Sequence, residues 1–227
     1  MSNGSGKERK RARRIVSLLL EQYPQAECTL AYGSPWELLV GGILASQCTD
    51  ERVNKVTPVL FERYPDMHTL ATANRRDVEE IVRSCGLYKT KANALVNTSA
   101  MILDRFDGQV PRTREELMEL PGVGRKIANL ILSDAFGFQE IVVDTHCARI
   151  SRLLGFTDSD NPVKIERDLL EVVPEDSRTL WGHLMVAHGR ELCRARCRMC
   201  YSCPVRPYCR YGAALQLSPD LEEGDCV

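Results

Sequence analysis

The sequence predicts an all-α protein, and three observations carry that prediction. Apolar residues recur at three- and four-residue spacing along nearly the whole chain. Helix start signals repeatedly precede those runs. Only one short segment, EIVV at 140–143, has the β-branched composition of a strand.

In chain order, residues 15–20 are the apolar part of a first helix. Ser34 and Pro35 have the chemistry of an N-cap and a first-turn proline, opening a helix through Trp36, Leu39, Ile43 and Leu44. VNKVTPVLFERY forms the next helix, with Pro58 placed to kink it and Pro65 just beyond its end. Helices follow near 77–84 and 89–106, and then at TREELMEL, where Thr113 and Glu116 have capping-box spacing. Beyond PGVG, RKIANLILSDAFG continues as a buried helix. The last three helices span about 145–154, 162–173 behind an Asn161 cap, and 177–192. No fixed-period repeat or low-complexity linker divides the chain. Both termini read as frayed, the basic MSNGSGKERKRARR and the acidic LEEGDCV.

Length allows one large domain or two small ones among 227 residues. Lys plus Arg number 30 against 31 for Asp plus Glu, so a nucleic-acid role has to rest on local basic patches and not on net charge. No run approaches the roughly 18 apolar residues of a bilayer span, and the basic N-terminus lacks the apolar region of an export signal. The expectation is a cytoplasmic protein with no membrane partner.

Ten cysteines in a small exported chain would mean disulfides, but five of these lie between Cys193 and Cys209. Cys193, Cys200, Cys203 and Cys209 have the spacing C-x6-C-x2-C-x5-C. Thiolates so closely grouped require a cation, and four sulfurs suit tetrahedral zinc or an iron–sulfur cluster. Zinc sites usually arrive as two separated C-x2-C pairs, so one short loop favours the cluster. Cys197 is one cysteine too many: with Cys200 and Cys203 it also matches the start of a bacterial ferredoxin run. Arg194, Arg196, Arg198, Arg206 and Arg210 stand among these cysteines without an acidic neighbour, either to hold phosphates or to balance thiolate charge.

LPGVGRK, residues 120–126, lies between two helices, and Gly122 and Gly124 permit a sharp turn with little bulk. Backbone N–H groups at such a loop can hold a phosphate, with Arg125 beside them. A plain helix–helix turn is the simpler reading of the motif alone. Lys126 falls in the first turn of the following helix, where the helix dipole and Arg125 disfavour its protonated form and favour a nucleophilic amine. A phosphate-contacting or solvated lysine is the plain alternative. Asp144 follows 18 residues later in VDTHCARISRLLG, as an N-cap or as a carboxylate that stabilises positive charge on a sugar. His146 reads as structural.

Together, LPGVGRK, VDTH and the four-cysteine tail resemble the endonuclease III family in order and spacing. SPWELLVGGILASQCTD and CGLYKTKA look like further blocks of that family, so the resemblance runs from about Ser34 to Cys209. It implies a glycosylase and abasic-site lyase of base excision repair, with a [4Fe-4S] cluster on Cys193, Cys200, Cys203 and Cys209. It also implies two helical domains flanking a DNA-binding cleft: a continuous domain at 28–138, and a second at 139–227 packed with the segment 1–27. Lys126 and Asp144 would be catalytic. Gln47 and Leu87 would enter the duplex beside an extruded nucleotide, against the plain readings of a polar helix-end residue and a core leucine. Gly122, Gly124, Arg125, Arg194 and Arg198 would meet the DNA backbone. The substrate implied is double-stranded DNA with damaged pyrimidines or abasic sites, the location the cytoplasm at the nucleoid, and the enzyme a monomer. Ile127 stands where the family commonly has threonine. Adenine mismatch glycosylases, which resemble the hairpin and cluster, generally lack the lysine. A mismatch or pyrimidine-dimer glycosylase on the same scaffold, and a non-catalytic DNA-binding module, remain as rival readings.

Overall fold

The computed structural model describes residues 2–215 and 226, with side chains from residue 6 onward. The first helix, α1, spans Ser2–Gln22 and buries Ala12, Ile15, Val16 and Leu19 along one stripe. It takes in the basic segment read above as a frayed tail. Lys, Arg, Glu and Ala are strong helix formers, and the buried stripe fixes the helix that they extend. The acidic C-terminal segment lies outside the described residues, apart from Cys226.

Next come α2 at Pro35–Leu44, capped by Ser34, and α3 at Asp50–Arg63, which contains Pro58 and is capped by Thr49. A short α4, Met67–Ala71, was not foreseen. Its signal was the reciprocal cap of Asp66 and Thr69. Then follow α5 at Arg75–Val82, α6 at Tyr88–Arg105, α7 at Arg114–Glu119 and α8 at Arg125–Leu130, the last running on as a π-helical turn over Ile131–Ala135. The remaining helices are α9 at Thr145–Leu154, α10 at Pro162–Val172 behind the Asn161 cap, α11 at Arg178–Glu191 and a short α12 at Arg210–Ala214.

No strand forms among the described residues. The expected strand EIVV is instead extended chain ahead of α9 that joins no sheet among the described residues. Ile141 and Val143 are buried, and Val142 lies against Gly182 of α11. Its β-branched residues fill space and make no ladder.

The chain divides into two compact units, Cys28–Phe138 and, drawn from both ends, Met1–Glu27 with Gln139–Val227. In the first, α2 is apolar on nearly every side and is the central helix, with Leu38, Leu39, Val40 and Leu44 almost fully buried. In the second, α1 packs with α9, α10 and α11 around Trp181, Ile150, Ile165 and Leu184. Arg11 fastens α1 there: its guanidinium donates to the carbonyls of Leu154 at 2.8 Å and Tyr208 at 2.7 Å, and lies 3.9 Å above the Phe156 ring.

Candidate catalytic and nucleic-acid site

The hairpin of α7 and α8 is held by its own sequence. Thr113 accepts from the Glu116 amide and donates to the Glu116 carboxylate at 2.6 Å, so α7 starts where the capping box placed it. Leu120 and Val123 are buried, anchoring the loop at both ends. Gly122 sits at φ +80°, and a Cβ there would come within 2.8 Å of Ala94 on α6. Only glycine meets both the conformation and the close approach. Thr98 of α6 donates to the Pro121 carbonyl at 2.8 Å, and Arg114 joins α7 to α8 through Asn129 at 2.9 Å.

Gly124 is the N-cap of α8 and supplies no side-chain cap. A helix that starts without a side-chain cap leaves its first amides to other partners, and such ends can hold an anion. Lys126 stands exposed one residue inside that helix, with no carboxylate paired to it among the described residues. Ile127, next to it, packs its Cγ2 against Gly42 of α2, where a Cβ would leave only 3.1 Å. That contact explains an apolar residue beneath the lysine. It sets the depth at which α8 lies on α2.

Asp144 belongs to the other unit and is the N-cap of α9, its Oδ1 accepting from the Cys147 amide at 2.7 Å. The cap fixes the direction of the carboxylate and engages one of its oxygens. His146 rests against Gly189 with Nδ1 3.5 Å from Arg149, in line with a structural role.

Gln47 and Leu87 share an unusual backbone. Together with Asp107 they are the non-glycine residues at positive φ among those described, at 54° and 46°. Leu87 is 55% exposed, which excludes the core-leucine reading, and Gln47 is exposed as well. Non-glycine residues in this region are strained, and such strain gathers at functional positions.

Cys193, Cys200, Cys203 and Cys209 line one pocket, walled by Ile150, Leu154 and Val205 and by the side chain of Arg198. Burial pushes the Cys203 thiol up to about 12, and also raises Cys193 and Cys200, with the neighbouring sulfurs adding to the rise. Thiols raised in this way ionise together only around a cationic core. Among the described residues no three Cys, His, Asp or Glu side chains are gathered closely enough to hold a metal ion. Polar groups already face the sulfurs: Arg149 donates to Cys193 at 3.6 Å and the Gly212 amide to Cys209 at 3.4 Å, and His188 Nε2 lies 3.6 Å from Cys203. Cys197 is bonded to Cys226 in a disulfide, so the surplus cysteine is not among the four.

Arg198 points inward. Its Nε is screened from solvent without a partner and its guanidinium lies 5.2 Å from the Tyr211 ring, a placement suited to balancing thiolate charge. Arg194 is exposed, with Nε donating to the Arg190 carbonyl. Two residues missed from sequence are the buried Lys91 and His188. Each carried a signal, a basic residue at helical spacing within an apolar face: Lys91 among Ala92 and Leu95, His188 after Trp181, Leu184 and Met185.

The comparisons agree with this geometry. Residues 40–175 match the model of the HhH-GPD superfamily base excision DNA repair proteins. Endonuclease III of Synechocystis sp. is 44% identical over 203 residues, covering 89% of this chain and 93% of its own, and endonuclease III of Bacillus subtilis is 39% identical over 193 residues, covering 85% and 88%. A solved structure of a trapped endonuclease III–DNA covalent intermediate superimposes with a TM-score of 0.85 at 40% identity, covering 90% of this chain and 97% of that one. With the uncapped hairpin helix, the exposed lysine and the four-thiol pocket in place, these matches establish that the chain belongs to the HhH-GPD superfamily of base excision DNA repair proteins and, within it, to the endonuclease III family.

Proposed function

We propose that the protein excises oxidised pyrimidines from duplex DNA and cuts the strand at the resulting abasic site, with Lys126 as nucleophile and Asp144 as the assisting carboxylate. The observation that carries this reading is Lys126 itself, exposed and paired with no carboxylate in the first turn of a helix whose N-cap is a glycine. The first amides of that helix, with Gly122, Gly124 and Arg125, hold a backbone phosphate, so the amine beside them meets the adjoining sugar. The damaged nucleotide leaves the stack because a weakened pair costs less to open. Gln47 and the exposed Leu87 occupy the space it vacates.

The Lys126 amine attacks C1′ of the sugar as the glycosidic bond breaks, its electron pair passing to the departing base, which takes up a proton. Asp144 stabilises the positive charge on the sugar and assists the proton transfers. Ring opening leaves an imine between Lys126 and C1′. Loss of a C2′ proton then expels the 3′ phosphate by β-elimination, and water releases the lysine.

Cys193, Cys200, Cys203 and Cys209 would hold a [4Fe-4S] cluster, which would order the loop that carries Arg194 for contact with a phosphate, while Arg198 would offset the thiolate charge. No chemical step requires an electron from it. The functional division follows the segments 1–27, 28–138 and 139–227. No helix among the described residues is long and apolar enough to cross a membrane. We place the enzyme in the cytoplasm at the nucleoid, acting as a monomer.

Borohydride trapping on a duplex holding one thymine glycol tests the reading. A covalent protein–DNA band that vanishes in Lys126→Gln is expected. No band on that duplex or on an abasic-site control would leave a monofunctional glycosylase or a binding module. A band on the abasic site alone would point to a mismatch or pyrimidine-dimer lesion.

A further inference from the structure

The two left-handed residues are tied to one buried cation. Lys91, on α6, is 3% exposed, and its Nζ donates to the Leu44 carbonyl at 2.9 Å and to the Cys85 carbonyl at 2.7 Å. Leu44 ends α2, three residues before Gln47, and Cys85 ends the 3-10 turn two residues before Leu87. Both carbonyls come from helix-end turns, where acceptors lack intrahelical partners and the local dipole favours a cation.

No carboxylate pairs with Lys91 among the described residues; the ammonium is held by the two backbone oxygens, with the Cys48 and Cys85 thiols beside it. A cation buried without a counter-charge is costly, and a leucine or methionine would fill the same face more cheaply. The expense is explained by what the ammonium does. It holds two chain segments that are distant in sequence no farther apart than its two hydrogen bonds laid end to end. Three residues beyond the Leu44 carbonyl and two beyond that of Cys85, the backbone enters the strained conformation, at Gln47 and Leu87, whose side chains are exposed.

We infer that Lys91 is a positioning residue that fixes Gln47 and Leu87 in one register, so that the two side chains enter the duplex together. This rests on the proposed role of Gln47 and Leu87. Lys91 touches neither DNA nor the reacting atoms, and it acts through the backbone at Leu44 and Cys85. A merely structural lysine would affect every substrate alike. A register-setting one matters where a base must be displaced from a stack and much less where none is present.

The test compares excision of thymine glycol from duplex with strand cleavage at an abasic site in single-stranded DNA, for Lys91→Met, Leu87→Ala and the double variant. Lys91→Met is expected to lose about tenfold to a hundredfold more on the duplex than on the single strand, the usual scale for removing a charge-assisted hydrogen bond. In the double variant the two losses should not add, because both act through Leu87. Equal losses on the two substrates, or additive losses, overturn the inference. An unimpaired Leu87→Ala, with Gln47→Ala likewise unimpaired, overturns the role of the inserted pair itself. If Lys91→Met does not fold, amide exchange in the unmodified protein decides: residues 45–48 and 85–88 should open together, and independent opening would refute the shared clamp.

Discussion

His188 Nε2 lies 3.6 Å from Cys203 Sγ, while Nδ1 of the same ring meets the Tyr23 hydroxyl at 3.2 Å. Tyr23 adjoins the end of α1, His188 is on α11 and Cys203 is in the cysteine loop, so one buried imidazole links three parts of its unit. Burial, with Arg149 nearby, holds its pKa down at about 4, and a neutral ring has one proton to share. The tautomer in which the Tyr23 hydroxyl donates to Nδ1 puts that proton on Nε2, facing the sulfur.

His188→Phe is therefore expected to weaken cluster retention, and Tyr23→Phe to do so less. Loss of an outer-shell hydrogen bond typically costs about tenfold to a hundredfold in metal affinity. The rate at which a ferrous chelator bleaches the protein's visible absorbance measures it. A rate unchanged in His188→Phe would detach the ring from the cluster.

The ligand set is tested by serine replacement. Cys193→Ser, Cys200→Ser, Cys203→Ser and Cys209→Ser should each reduce bound iron and visible colour, whereas Cys197→Ser, whose sulfur is bonded to Cys226, should keep both. Iron analysis of the five purified variants gives the answer. Iron lost in Cys197→Ser but kept in Cys193→Ser would reassign the site.

Asp144 is a helix cap in the structure and a catalytic carboxylate in the proposed mechanism, and substitution separates the two. Asn accepts the Cys147 amide as well as Asp does, so Asp144→Asn should unfold at nearly the wild-type urea midpoint, while Asp144→Ala should lose about 1 kcal/mol. Excision should fall in both by roughly a hundredfold or more, since both lose the charge that assists proton transfer. Full activity in Asp144→Asn would reduce the residue to its cap.

At the hairpin, Gly122→Ala combines a left-handed backbone with a clash against Ala94. It should destabilise by about 1–3 kcal/mol in urea melts, and Ala94→Gly in the same chain should recover part of that loss. No recovery would mean that the backbone conformation alone sets the cost.

Much of this was legible because local chemistry agreed with tertiary need. Ser34, Thr113 and Asn161 cap the helices that their spacing announced, and the glycines of PGVG turn where the motif turns. EIVV misled because β-branching reports a taste for crowded surfaces, which a core surface satisfies without a partner strand. The basic N-terminus misled because charge marks exposure, not disorder: α1 is charged on one side and buried on the other. Lys91 escaped because a single lysine in an apolar stripe looks like a flaw until its two carbonyls, from segments far away in sequence, are known.

The division of the chain sets an order of assembly. Residues 28–138 form one uninterrupted unit that can fold while the remainder is still being translated, whereas α1, made first, must wait for partners made last. Until α9 to α11 emerge, Ile15 and Leu19 have no core to enter. The thiols that would take up iron belong to the final stretch, so loading is coupled to completion: a stalled or truncated product could carry the lysine-bearing hairpin yet never acquire the finished arginine loop.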